Sequence, residues 1–179
     1  VNVLLAVDGI DVNYRKDNGS TALIIACGNG RLKVVEMLLA VDGIQVNQAD
    51  DKGFTPLNVA CQEGHSKVVK MLLAMDGIQV NQADGNRRAP LYVACQKGHS
   101  KVVRMLLAVD GIQVNQATNK GWTPLNSACF NGHSEVVQML LAVDGIQVNQ
   151  AANKGTTPLF RACQEGHLKV VNMLLAVDG

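Results

Sequence analysis

Aromatic residues are scarce in this chain. Its 179 residues include three Phe, two Tyr and one Trp. An interior of this size must therefore be filled by Leu, Val, Ala, Met and Cys. An excess of charge is also lacking: sixteen Lys and Arg face fifteen Asp and Glu, a formal net charge of +1. That balance excludes a global attraction to nucleic acid or to an anionic membrane. No apolar run approaches the roughly 20 residues of a membrane-spanning helix. No signal-peptide pattern is seen. Only four prolines occur, and all four fall at the same phase of a repeat.

The five cysteines are odd in number, and Cys27, Cys61, Cys95, Cys129 and Cys163 follow one another at intervals of 34. A disulfide framework does not place one Cys at the same position of every copy. The pattern fits free, buried, small apolar side chains in a reducing compartment, cytoplasmic or nuclear.

The interval of 34 recurs throughout. Leu23, Leu57, Leu91, Leu125 and Leu159 share one phase, Gly30, Gly64, Gly98, Gly132 and Gly166 another, and Asn13, Asn47, Asn81, Asn115 and Asn149 a third. A fixed period of this length signals stacked repeats. One copy shows how the unit is built. Thr55 is placed to cap a helix whose first residue is Pro56, where a missing N–H costs nothing. Leu57, Ala60 and Cys61 form an apolar stripe at i, i+3 and i+4. Gly64 suits the left-handed residue that ends the helix. A second helix starts near Ser66 and carries Val68, Val69, Met71, Leu72 and Leu73. A Gly-, Asp- and Asn-rich stretch then forms a hairpin-like connection. Helices of about 8–10 residues are too short to stand alone in water. Each unit must shelter its apolar side against its neighbours.

The motif G-x-T-P-L-x-x-A-C-x-x-G-H-x-x-V-V-x-M-L-L, repeated over essentially the whole chain, resembles the ankyrin repeat. The resemblance implies an all-α solenoid of helix–turn–helix units joined by short hairpin loops. The units are about 10–43, 44–77, 78–111, 112–145 and 146–179, with 1–9 ending a preceding unit, and together they make one domain. The chain reads as a piece of a longer array. Two departures from the family stand out. The His that usually follows Thr-Pro-Leu is replaced by Ile24, Asn58, Tyr92, Asn126 or Phe160. The common period is 33, and the extra residue here is expected in the "LLAVDG" run, lengthening the second helix.

Chemistry finds little support. His65, His99, His133 and His167 each follow a Cys by four residues, but the intervening Gly breaks helical geometry and no closed metal-ligand set results. Buried thiols are poor nucleophiles, and no phosphate loop is present. No cofactor and no metal are expected. The lysines repeated on the second helices, Lys33, Lys67, Lys101 and Lys169, read as a solvated outer face rather than a nucleic-acid stripe.

Positions that differ between copies are released from the demands of stacking. The residue before the capping Thr reads Ser20, Phe54, Arg88, Trp122 and Thr156. Phe54, Trp122 and Phe130 lie off the apolar stripe, and Tyr92 takes the family's His position. In the third unit, Arg87 replaces the turn Gly and Ala89 the capping Thr, each at a cost of about 1 kcal/mol. Gly85, two positions earlier, offers a partial rescue of the turn. Lost local stability beside added surface chemistry suggests function. Phe54, Arg87, Arg88, Tyr92, Trp122 and Phe130 are therefore the expected contacts of a non-enzymatic protein-interaction module. Arg88 would select an acidic partner. The concave surface of hairpin tips and first helices is where the family resemblance places such contacts. The array is expected to be a monomer. The alternatives are a structural spacer, or a regulatory segment of a larger enzyme or channel.

Overall fold

The structure is a computed structural model and describes residues 9–177. Residues 1–8, expected to end a preceding unit, lie outside the described residues. Ten helices and no strand occur among the described residues. They alternate as first and second helices of five units: α1 Ala22–Gly28, α2 Leu32–Leu39, α3 Pro56–Gln62, α4 Ser66–Leu73, α5 Pro90–Lys97, α6 Ser100–Leu107, α7 Pro124–Phe130, α8 Ser134–Leu141, α9 Pro158–Gln164 and α10 Leu168–Leu175. The caps fall where the sequence puts them. Thr21, Thr55, Thr123 and Thr157 each accept a hydrogen bond from the backbone N–H three residues on, at 3.1–3.3 Å. The second helices stop at Leu39, Leu73, Leu107, Leu141 and Leu175, with Ala as the following cap. The run where the extra residue is expected thus spans the helix end, the Ala cap and the turn beyond it.

First helices pack on first helices and second on second, all along the array. The first-helix row is the more closely packed. Ala60, Cys61, Ala94, Cys95, Ala128 and Cys129, all fully buried, leave room for this approach. The second helices stand further apart. The core is aliphatic: Leu57, Leu72, Leu91, Leu106, Leu125 and Leu140 are sealed from solvent.

Two polar ladders lock successive units. Asn13 donates to the Gly43 carbonyl at 2.9 Å and accepts from the Gln45 N–H at 2.9 Å. Asn47, Asn81 and Asn115 repeat that pair one unit later each time. The histidines make the second ladder. The Nε2–H of His65 donates to the Gly28 carbonyl at 3.0 Å, and His99, His133 and His167 do the same to Gln62, Gln96 and Phe130. This contact also restricts the turn glycine of the unit before. At Gly98, where φ is 73°, a Cβ would come within 2.6 Å of His133 Nδ1. The Gly is required twice, by its left-handed backbone and by the ring laid against it.

Burial of the thiols holds for Cys27, Cys61, Cys95 and Cys129 but not for Cys163, which is exposed. No sixth unit covers its helix among the described residues. Burial pushes the Cys27 and Cys129 thiols up to about 12 and raises those of Cys61 and Cys95 as well. The fold thus favours the neutral thiol. Its stabilising contribution is complete below the unfolded value near 8.5–9 and is lost as pH rises from there toward about 12. Melting temperature should fall between pH 8 and pH 10.5. At pH 8 a thiol reagent should modify Cys163 alone in the native protein, as read by intact mass. Uniform labelling of all five would contradict the packing described.

Candidate protein-binding cleft

Each hairpin fixes the residue that precedes the helix cap. The N–H of Asp50 donates to the Phe54 carbonyl at 3.0 Å, that of Asp84 to Arg88 at 3.1 Å and that of Thr118 to Trp122 at 3.0 Å. In return, the N–H of Phe54, Arg88 or Trp122 donates to a side-chain oxygen of Asp50, Asp84 or Thr118, at 2.9, 2.9 and 3.2 Å. The backbone at this position is thus held from both sides while the side chain is free to vary. Neighbouring hairpin tips are joined as well: Gly85 N–H donates to Lys52 at 2.9 Å and Asn119 N–H to Asn86 at 3.0 Å. The result is a pre-ordered row of variable side chains.

Stacking sets residues 34 apart beside each other. The Arg88 guanidinium lies over the Phe54 ring, 5.4 Å from its centroid. Arg88 also donates from Nε and Nη2 to Asp84 Oδ2 at 2.7 and 2.6 Å. Asp84 is buried, so this pair is shielded from water and Arg88 is held firmly. Its charge is already matched within the chain. Arg87, by contrast, is exposed and makes no ion pair among the described residues.

The turn of the third unit differs from expectation. Gly85 does not rescue it. Arg87 itself adopts the left-handed conformation, with φ at 59°, where Gly53 and Gly121 sit at 83° and 75°. The reason is that the backbone bonds of the hairpin are kept: Arg87 N–H still donates to the Asp84 carbonyl at 2.8 Å, as Gly53 does to Asp50. Ala89 caps α5 with no side-chain hydrogen bond. Both costs therefore stand. Restoring Arg87→Gly and Ala89→Thr together should stabilise the protein by about 2 kcal/mol, a rise of roughly 4–8 °C in Tm. Thermal melts of the double variant and its parent measure it.

In the fourth unit two aromatics meet. Trp122 and Phe130 pack edge to face, with centroids 5.3 Å apart and planes at 69°. Arg161 reaches across from α9, 4.5 Å from the Trp122 centroid and 5.6 Å from that of Phe130. Its Nη1 donates to Gln164 Oε1 at 3.2 Å, and its Nε is enclosed with no partner. Tyr92 is buried beside Ser127, and that burial raises its hydroxyl above the ordinary tyrosine value. Ser127 stands where other units carry Ile25, Val59 or Val93, and its small polar side chain makes room for the Tyr92 ring.

Arg88, Tyr92, Trp122 and Phe130 line one cleft of about 380 Å³ between the third and fourth units. Lys120 joins them at the rim, with amide side chains around it and no carboxylate in the lining. Phe54 and Arg87 lie outside that lining, Phe54 linked to it through Arg88. Reading the sequence alone missed Lys120, Asp84 and Arg161. For Arg161 a signal existed: it occupies a series otherwise made of Ile25, Val59, Val93 and Ser127.

No helix among the described residues is long and apolar enough to cross a membrane. No group of three or more His, Cys, Asp or Glu side chains among them could hold a metal ion. No curated protein matches the chain. A family model for ankyrin repeats in three copies matches residues 1–84 and 77–152, and a model of the single ankyrin repeat matches residues 154–179. With paired helices, three first helices opening on Thr-Pro and units stacked through Gly-His contacts along the array, the chain belongs to the ankyrin repeat family.

Proposed function

We propose that this array binds an acidic segment of a partner protein in the cleft between its third and fourth units. Ankyrin repeats are generally protein–protein interaction modules and typically non-catalytic. The observation that carries the reading is the convergence of Arg88, Tyr92, Trp122 and Phe130 on one cleft whose lining holds cations and no free carboxylate. Aromatic and arginine side chains are the usual energetic anchors of protein interfaces. Here Arg88 and Trp122 stand on hairpins already fixed by hydrogen bonds, and Tyr92 and Phe130 on packed helices, so little conformational entropy is lost on binding. Tyr92, Trp122 and Phe130 supply apolar contact. Arg87 and Lys120 carry the exposed positive charge, because Arg88 is neutralised by Asp84. Phe54 extends the surface toward the second unit. The array acts as a monomer, inside the cell, and performs no reaction.

The test is affinity capture from a native extract with the wild type and with Trp122→Ala. Partners retained by the wild type and lost by the variant support the cleft. A partner list that ignores Trp122 moves the interaction surface elsewhere, and an empty list favours a spacer.

A further inference from the structure

The wider spacing of the second helices has a chemical consequence on the opposite side of the molecule. A groove of about 610 Å³ opens between α4 and α6. Its floor is Leu73, Met105 and Val109, all half-buried, and its rim carries Lys67, Lys70 and Lys101. The three lysines are exposed and make no ion pair among the described residues. No carboxylate lines the groove.

The other units do not repeat this chemistry. The first rim position reads Lys33, Lys67, Lys101, Glu135 and Lys169 along the chain, and the second reads Glu36, Lys70, Arg104, Gln138 and Asn172. An acid therefore enters the first junction through Glu36 and the last two through Glu135. Glu135 already faces Arg104 at 3.5 Å. The junction of the second and third units alone is purely cationic at these positions.

We propose that this groove is a second docking surface, for an acidic amphipathic segment of a partner protein. Its helices of eight residues are roughly 12 Å long, which matches about two turns of a docked helix. Such a segment would seat two or three apolar side chains on the floor and set its carboxylates against the lysine rim. The floor is recessed between helices, whereas a bilayer needs apolar side chains that protrude. There is no aromatic ring in the lining for a nucleic-acid base to stack on. The groove and the aromatic cleft lie on opposite faces, so the array could hold two partners at once. This proposal is independent of the cleft.

The test uses the whole chain and a synthetic helical peptide of about 18 residues, with Leu at i, i+3, i+4 and i+7 flanked by Glu. A control peptide carries Lys in place of Glu. Fluorescence anisotropy should show the acidic peptide binding and the basic one not. Lys67→Glu with Lys101→Glu should weaken it by about tenfold or more, and added salt should weaken it too. Trp122→Ala should leave it unchanged. Both lysines are exposed, so the double variant should keep its circular dichroism spectrum and Tm. Four results would overturn the proposal: no binding of the acidic peptide, equal binding of the basic one, dependence on Trp122, or binding that survives the lysine reversals. Lysine-dependent binding to phosphatidylserine vesicles with no peptide binding would assign the face to a membrane instead.

Discussion

Trp122→Ala should weaken binding of the cleft's partner by about 2 kcal/mol, roughly thirtyfold in Kd. Three features of the site set that size. Trp122 is half-buried, so its backbone and most of its ring are placed before the partner arrives. It is braced by Phe130 at 5.3 Å and by Arg161 at 4.5 Å, which leaves few rotamers to lose. It also stands beside Lys120 and Arg88 in a lining that holds no carboxylate. Arg161→Ala should cost less, about 0.5–1 kcal/mol, because it acts through the ring and not on the partner. The double variant should then be less than additive, since Arg161 has nothing to brace once the indole is gone. Calorimetric titration with the captured partner, or a peptide cut from it, measures all three. Kd values within twofold of the wild type for Trp122→Ala would remove the cleft as the binding site. Phe54→Ala serves as a graded control, because Phe54 lies outside the cleft's lining.

Much of the array is legible in the sequence because stacking writes the same constraint five times. Thr-Pro at the start of three of the five first helices, Leu-x-x-Ala-Cys on the inner stripe and Gly at the helix end each have a local cause, and each is found where the pattern puts it. The site is harder to read. Its contacts join residues of different units, at separations set by packing. Arg88 lies over Phe54 because both occupy one register position in adjacent units. Trp122 and Arg161 are 39 apart and share no register, so their contact emerges only once α7 and α9 are docked. The Gly98–His133 contact is of the same kind. Local propensity names each residue, and only the stacked geometry shows that the His ring needs the missing Cβ. Arg87 shows the opposite limit. Gly85 looks like a substitute turn residue, yet the hairpin keeps its register and forces Arg87 into the left-handed region. Hydrogen bonds at both ends of the turn outweigh a strain of about 1 kcal/mol. Cys163 departs from its series because burial in a stack depends on a following neighbour, which the sequence of one unit does not record.

The same dependence on neighbours governs the largest expected loss of stability. Leu125 is fully buried in α7, which packs against α5 on one side and α9 on the other. Leu125→Ala removes three heavy atoms from a site that α5 and α9 cannot both relax to fill. The cost should be about 3 kcal/mol. In a solenoid this loss falls on the unit and on its two interfaces together. Chemical denaturation should therefore show a lower midpoint and a broadened transition, as the first three units uncouple from the last. The equivalent Leu159→Ala in α9 should cost roughly half as much, because Leu159 is only half-buried and α9 has a first helix, α7, on one side only among the described residues. Equal costs for the two variants would mean that each unit is held by its own helices rather than by those beside it. Below its melting point, Leu125→Ala should keep the affinity of the aromatic cleft. Trp122 is held by the hydrogen bonds of its hairpin and by Phe130 and Arg161, while α5 and α7, which carry Tyr92 and Phe130, keep their remaining core contacts. A parallel loss of binding would instead show that the core beneath the cleft sets the placement of its walls.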